Sequence, residues 1–120
     1  MTSRQFEKWV ATQLGKEGWW ALHVAPGADG SQPADIVAVR DQIGMLIDCK
    51  MLKDKNGRFP TSRIEENQKL ACQAWEKAGN HKKTYLFAIL WDKKVFTVTM
   101  DEMEDVIAIG LKERKARWHL

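Results

Sequence analysis

The sequence has few of the features that mark secreted, membrane-spanning or zinc-finger proteins. Only two of its 120 residues are cysteines, Cys49 and Cys72, which is too few for a disulfide framework or a zinc site of paired cysteines. No apolar run approaches the roughly 20 residues that a membrane span needs, and the first residues are polar, unlike the centre of a signal peptide. These absences favour a cytoplasmic protein with no membrane partner.

The composition is that of an ordinary globular domain. Hydrophobic residues make up 44% and charged residues 29% of the chain, unlike a disordered protein, and a length of 120 residues predicts a single domain over residues 1–120. The net charge of +3 is small, but the basic residues cluster in the segments 50–63 and 111–120. Such clusters neutralise phosphates, although solvated loops and a basic C-terminal tail have the same composition.

Local patterns predict the element order α-β-β-β-α-β-β-α. A capping box of Thr2 and Gln5 begins the first helix, and a second box, of Ser62 and Glu65, begins a helix over 62–78. Strands are predicted at 19–24, 34–39, 44–50, 84–91 and 94–99, and a short helix at 101–109. The second and third strands are so close in sequence that they must form an antiparallel hairpin. The expected fold is a mixed α/β sandwich.

Charged residues interrupt two apolar strands of this hairpin. Asp35 is surrounded by alanine, isoleucine and valine, and Asp48 and Lys50 lie in the next strand. A charge in such a strand is costly unless it is paired or bound to a metal. Side chains alternate along a strand, so Asp48 and Lys50 share a face. If the turn has an even number of residues, Asp35 lies on that face too, opposite one of them.

Two neighbouring carboxylates are most easily explained by a cation between them. Oxygen ligands select a hard ion such as Mg²⁺ or Mn²⁺, and this ion polarises a phosphoryl oxygen and acidifies a bound water. Lys50 would then orient the water or neutralise the developing charge. The pattern predicts metal-assisted hydrolysis of a phosphodiester. The alternative is a structural salt bridge of Lys50 with Asp35 or Asp48.

Gln68 is a further candidate because it lies on the apolar face of its helix. Ile64 precedes it by four residues and Cys72 follows it by four, and a buried amide needs a partner, either in a site or on the backbone. Cys49 points away from Asp48, so only its backbone carbonyl could reach a metal. The three histidines have no metal-site spacing and are expected to be surface or core residues.

These residues resemble a known signature. Pro33-Ala34-Asp35, an apolar strand, a short turn and Ile47-Asp48-Cys49-Lys50 are similar to the motif of the PD-(D/E)XK nuclease superfamily, and within it to archaeal Holliday-junction resolvases and their bacterial and phage relatives. The resemblance covers about residues 3 to 90. It implies a restriction-endonuclease-like αβββαβ core, a mixed central sheet flanked by helices, with a metal at the edge of the sheet. It also implies DNA cleavage that leaves a 5′-phosphate.

The resemblance also implies roles for single residues. Glu7 on the first helix completes a metal site with Asp35, Asp48 and the Cys49 carbonyl, and Gln68 lies next to the catalytic Lys50. The glycine-rich loop 27–31 brings Ser31 close to the scissile phosphate. The expected DNA-binding residues are Ser31, Lys53, Lys55, Arg58 and Arg63. The sequence departs from the pattern at Asp48, where resolvases usually have glutamate, and at Ala34, which separates the motif's proline from its aspartate.

The expected function is therefore Mg²⁺-dependent, structure-specific DNA cleavage, with Mn²⁺ able to substitute, and in particular resolution of Holliday junctions by a homodimer. The dimer surface is expected on residues 84–99 or in the C-terminal segment, where Trp118 could contact DNA or a second subunit. Two alternatives remain open. One is a related nuclease that nicks other DNA in repair, replication or restriction, and the other is a catalytically decayed DNA-binding module.

Overall fold

The computed structural model of the protein describes residues 1–25 and 32–120. The helices are α1 (Ser3–Lys16), α2 (Glu66–Lys77) and α3 (Met103–Ile109). The strands are β1 (Trp20–His23), β2 (Ile36–Arg40), β3 (Ile43–Met51), β4 (Tyr85–Trp91), β5 (Lys94–Thr99) and β6 (Trp118–His119). Short 3₁₀ turns lie at Thr61–Arg63 and Lys82–Thr84. No helix in the described ranges is long and apolar enough to cross a membrane.

The six strands form one mixed sheet in the order β1-β2-β3-β4-β5-β6. Only the central pair, β3 and β4, is parallel, and α2 lies in the connection between them. All the other neighbouring strands are antiparallel. The predicted mixed α/β fold, with an αβββαβ core, is confirmed.

The β2–β3 hairpin has the even-length turn on which the predicted site depends. Arg40 pairs with Ile43, so the turn consists of Asp41 and Gln42, whose φ angles are +50° and +67°. Two residues with positive φ form the type I′ turn that matches the twist of paired strands. The register continues through Ile36 opposite Ile47, and Asp35, the residue before Ile36, lines the same cavity as Asp48 and Lys50.

Two predicted boundaries were wrong. Asp35 lies just before β2 instead of within it, although its N–H still donates to the Ile47 carbonyl at 3.0 Å. Helix α2 begins at Glu66 because Glu65 is its N-cap and forms the capping box with Gln68. The residues at Thr61–Arg63 form a separate 3₁₀ turn, so the predicted capping box of Ser62 and Glu65 does not begin the helix.

The central strands of the sheet are buried on both faces. On one face α1 contributes Phe6, Val10 and Leu14, which pack on alternate residues of β2, β3 and β4. On the other face α2, α3 and the 52–59 loop cover the remaining residues of β3 and β4, among them Tyr85 and Phe87. Strand β4 is therefore apolar throughout, as expected for a central strand that is covered on both sides.

The basic segment 111–120, expected to be a tail, is packed against the sheet. Leu111 is fully buried, and β6 pairs with β5. The indole N–H of Trp118 donates to Glu17 at 2.6 Å, and its ring packs edge-on against Trp9 with 6.1 Å between centroids. Trp118 is thus half-buried against α1, and much of its surface is covered within the chain.

Candidate active site

A cavity of about 270 Å³ lies where β2 begins and β3 ends. The five residues predicted to be catalytic line it: Glu7, Asp35, Asp48, Lys50 and Gln68. They come from α1, the segment before β2, β3 and α2. The fold therefore brings together residues that are up to about 60 positions apart in the chain.

The Asp35 carboxylate is buried, with 8% of the residue exposed, and it accepts two hydrogen bonds. The backbone N–H of Cys49 donates to Oδ2 at 2.7 Å, and the side-chain amide of Gln32 donates to Oδ1 at 3.2 Å. The first bond crosses from the strand that carries Asp48 and Lys50, so it fixes Asp35 relative to both residues. Gln32 was not predicted, since nothing in its local sequence distinguishes it from a loop residue.

Asp48 is equally buried and has two polar partners. Its Oδ2 accepts a hydrogen bond from the side-chain amide of Gln68 and lies 3.3 Å from Nζ of Lys50. Burial and the neighbouring Asp35 charge raise the pKa of Asp48 to about 7, against the opposing influence of Lys50. Two buried carboxylates in one cavity repel each other, and a proton or a cation between them relieves the repulsion.

Lys50 lies on the same face as Asp48, as strand alternation predicts. Its ammonium group forms the ion pair with Asp48 that the sequence left open as an alternative. Its side chain is 13% exposed and lines the cavity. Lys50 therefore forms an ion pair with Asp48 and also has access to the cavity.

Cys49 occupies the opposite face and packs against the α1 side of the core. Burial and the charges of Asp35 and Asp48 raise the pKa of its thiol well above the usual value. The reactive form of cysteine is the thiolate, so this environment disfavours nucleophilic chemistry at Cys49. Only its backbone belongs to the site.

Glu7 is half-buried at the α1 side of the cavity and is held by a residue that sequence reasoning missed. Nε2 of His23 lies 2.7 Å from Oε1 of Glu7. His23 is the last residue of β1 and pairs with Ile36, next to Asp35. The spacing of histidines in the sequence could not reveal this contact, because it depends on how β1 pairs with β2.

No family model and no curated protein sequence matches the chain. Among solved structures, it is similar to Archaeoglobus fulgidus Hjc, a Holliday junction resolvase from an archaeal hyperthermophile. The TM-score is 0.60 at 21% sequence identity, over 81% of this chain and 75% of that chain. The two proteins share a fold. The resemblance noted in the sequence is thus confirmed at the level of the fold.

On this fold, the donor set around the cavity fits a hard cation. Its oxygen donors are the carboxylates of Asp35 and Asp48, with Glu7 on the far side, and magnesium prefers such oxygen ligands. Within residues 1–25 and 32–120, no three histidine, cysteine, aspartate or glutamate side chains are grouped closely enough to form a complete metal site by themselves. Backbone or water oxygens would have to complete the coordination.

The predicted DNA-binding residues fall into two groups. Arg63 lines the cavity, where its guanidinium donates to the Met51 carbonyl at 2.7 Å and lies over the Phe59 ring at 5.3 Å. Lys53, Lys55 and Arg58 are exposed in the loop after β3 and do not line this cavity. The glycine-rich loop and Ser31 lie outside the described residues.

Proposed function

We propose that the protein is a metal-dependent, structure-specific DNA endonuclease that hydrolyses phosphodiester bonds, with four-way Holliday junctions as its substrate. The observation that carries this proposal is the pair of buried carboxylates, Asp35 and Asp48, with Lys50 beside them. Buried acids and a lysine in one polar cavity are costly for stability and are typical of catalytic sites. The fold shared with an archaeal junction resolvase supports DNA as the substrate.

Asp35, Asp48 and the Cys49 carbonyl would hold Mg²⁺, or Mn²⁺ in its place, and Glu7 would hold it through a bridging water molecule. When bound, the ion supplies a Lewis acid that polarises the phosphoryl oxygen and lowers the pKa of a water molecule. Burial, and secondly the Asp35 charge, raise the pKa of Asp48, and a cation at this position would relieve both effects. The contact of Glu7 with His23 uses one carboxylate oxygen and holds the side chain in place.

The chain's own residues would then position the reacting groups. Lys50 presents an ammonium group in the cavity, where it would neutralise charge that develops on the phosphate. Gln68 holds the Asp48 carboxylate from the helix side, and the Cys49 N–H holds Asp35 from the strand side. These bonds fix the carboxylates before substrate arrives, so little reorganisation is needed during the reaction.

A homodimer is the second part of the proposal, because two matched cuts need two sites related by two-fold symmetry. The two surfaces expected for the dimer are largely used within the chain. Most side chains of β4 and β5 are buried, and β6 of the C-terminal segment pairs with β5. An exposed apolar patch lies instead on β1 and β2. It consists of Trp20, Leu22 and Val39, which are 62%, 49% and 41% exposed and lie on one face of the sheet edge. A second copy of the chain covering this patch would bury it.

The test of substrate class is a comparison of labelled linear, flapped and four-way DNA of the same sequence, each with Mg²⁺ and with chelator. Preferential, symmetric cutting of the four-way substrate supports a resolvase. Equal cutting of all three substrates leaves a nuclease of another kind, acting in repair, replication or restriction. Binding to DNA without cutting in Mg²⁺ or Mn²⁺ leaves only a decayed DNA-binding module.

A further inference from the structure

A second cavity, of about 480 Å³, opens beyond the carboxyl ends of β3 and β4. We call it the Trp91 cleft. Its lining residues are Leu52, Lys53, Lys55, Trp91, Asp92 and Lys112. Half of these residues are lysines, and they come from both of the basic segments of the sequence. The fold thus joins in one cleft two clusters that are far apart in the chain.

The parallel pairing of β3 and β4 builds the floor of the cleft. Met51 pairs with Leu90, and the N–H of Leu52 donates to the Leu90 carbonyl at 2.9 Å. Leu52 and Trp91 therefore leave the sheet at the same end. The indole N–H of Trp91 donates to the carbonyl of Asp54 at 2.6 Å, which fixes the loop that carries Lys53 and Lys55.

A close approach between two backbone segments at Gly110 brings Lys112 to the Trp91 cleft. Gly110 has a φ of +82°, and a Cβ on this residue would collide with the carbonyl oxygen of Asn56. Only glycine lets the chain after α3 approach the 53–58 loop so closely. Leu111 is buried behind it, and Lys112 emerges at the rim of the cleft. The convergence of the lysines is therefore fixed by backbone packing.

The charges of these lysines are not neutralised by ion pairs within the part of the chain that is described. Arg114 is paired with Glu102 and Arg117 with Glu17. By contrast, none of the ion pairs among residues 1–25 and 32–120 involves Lys53, Lys55 or Lys112. Asp92 is the one acidic residue among those that line the cleft. The cleft thus carries a net positive charge above an apolar floor.

We propose that the Trp91 cleft is a second DNA site, which binds backbone phosphates next to the segment held in the catalytic cavity. The proposal rests on the proposed function for DNA as the ligand. The Cα atoms of Lys50, which lines the cavity, and Lys53, which lines the cleft, are three residues apart and so at most about 10 Å from each other. That distance corresponds to about three base pairs of duplex. One DNA arm can therefore contact both sites, and the cleft adds affinity without taking part in the chemistry.

The test is the salt dependence of DNA binding, measured with a labelled duplex in chelator so that no cutting occurs. Lys112→Ala removes one cleft lysine, and Lys115→Ala is the matched control, an exposed lysine in the same segment that does not line the cleft. Each phosphate contact contributes about one unit to the slope of log affinity against log salt. We expect the slope to fall by about one unit in Lys112→Ala and to stay unchanged in Lys115→Ala.

A second variant tests the same cleft and should change DNA affinity in the opposite direction. Asp92 lies in the β4–β5 turn with a φ of +52°, a conformation that asparagine tolerates. Asp92→Asn should tighten binding at low salt, because it removes a carboxylate that faces the phosphates. If both variants bind like wild type while wild type binds DNA, the cleft proposal is wrong.

The outcome for the cleft is separate from that for the nuclease. A protein that cuts DNA but shows no effect of Lys112→Ala or Asp92→Asn overturns the cleft and leaves the nuclease standing. A protein that binds DNA through Lys112 and never cuts keeps the cleft and overturns the endonuclease. Failure of the wild-type protein to bind DNA even at low salt overturns both.

Discussion

The side-chain amide of Gln68 donates a hydrogen bond to Oδ2 of Asp48. The carbonyl end of the same amide accepts from the backbone N–H of Glu65 at 3.1 Å, which makes Gln68 part of the cap of α2. One buried glutamine therefore begins a helix and orients a carboxylate of the candidate site. A bond to a residue of the candidate site and a bond to the backbone, which the sequence left as alternatives, are both present.

Replacing Gln68 should therefore affect both activity and stability. Gln68→Ala leaves the Asp48 carboxylate without this donor, and loss of such a supporting bond typically lowers metal affinity or activity about 10- to 100-fold. The uncapped Glu65 N–H and the lost packing should lower the free energy of unfolding by about 1–3 kcal/mol. Cleavage rates, magnesium titration and urea unfolding measure these effects. The control is Gln73→Ala, which replaces an exposed glutamine of the same helix and should change neither activity nor stability. If Gln68→Ala cleaves DNA at the wild-type rate, Gln68 has no role in the site.

Lys50 should act on the transition state more than on binding. Lys50→Ala should lower turnover about 100-fold with a much smaller change in KM, because the ammonium group is needed most when charge develops on the phosphate. Steady-state kinetics on a labelled substrate separate the two quantities. Lys77→Ala, an exposed lysine at the end of α2, is the control. A Lys50 variant that loses affinity and keeps its turnover would make Lys50 only a phosphate contact.

Tyr85 should stabilise the segment that precedes β2. Its hydroxyl donates to the Pro33 carbonyl at 2.9 Å, two residues before Asp35, so Tyr85→Phe should lower the unfolding free energy by about 1 kcal/mol at neutral pH. Burial, and secondly the Asp48 charge, raise the pKa of this phenol above its usual value of 10.0. An unfolded tyrosine ionises near pH 10 while the buried one stays neutral, so the contribution of Tyr85 to stability is present below pH 10 and is lost as pH rises further.

The chain contains one tyrosine, which makes this prediction simple to check. Denaturant unfolding of wild type and Tyr85→Phe should be compared between pH 7 and pH 11. The stability of wild type should fall more steeply than that of the variant above pH 10. Parallel curves for the two proteins would mean that Tyr85 is not held neutral by its surroundings.

Most of the fold could be predicted from local pattern, but several contacts of the site could not. Alternation along strands is a local rule, so the sequence could put Asp48 and Lys50 on one face, but it placed Asp35 there only on condition of an even-length turn, which the structure supplies. The contact of His23 with Glu7 depends on the β1–β2 register, which is set by tertiary packing. The packing of residues 111–120 likewise depends on β5, and basic composition suggested a tail instead.

The exposed patch on β1 and β2 should be the centre of the dimer. Trp20→Ser should convert a dimer into a monomer, since a large aromatic side chain at the centre of an interface typically contributes about 2 kcal/mol or more. Light scattering at micromolar concentration gives the mass. Leu70→Ser is the control, because Leu70 is 55% exposed but belongs to α2 and is not one of the patch residues. A monomeric wild-type protein would contradict the dimer proposal and would not affect the nuclease proposal.

The central claim is that Asp35 and Asp48 support metal-dependent cleavage of DNA. The most direct measurement uses wild type and the Asp35→Asn and Asp48→Asn variants on a labelled four-way junction, in Mg²⁺ and in chelator, with DNA affinity and metal binding by calorimetry recorded for each. We predict cleavage by wild type in Mg²⁺ only, no cleavage and no metal binding by either variant, and unchanged or tighter DNA binding by both. Cleavage by the variants at the wild-type rate, or no cleavage by wild type in Mg²⁺ or Mn²⁺, would contradict the claim.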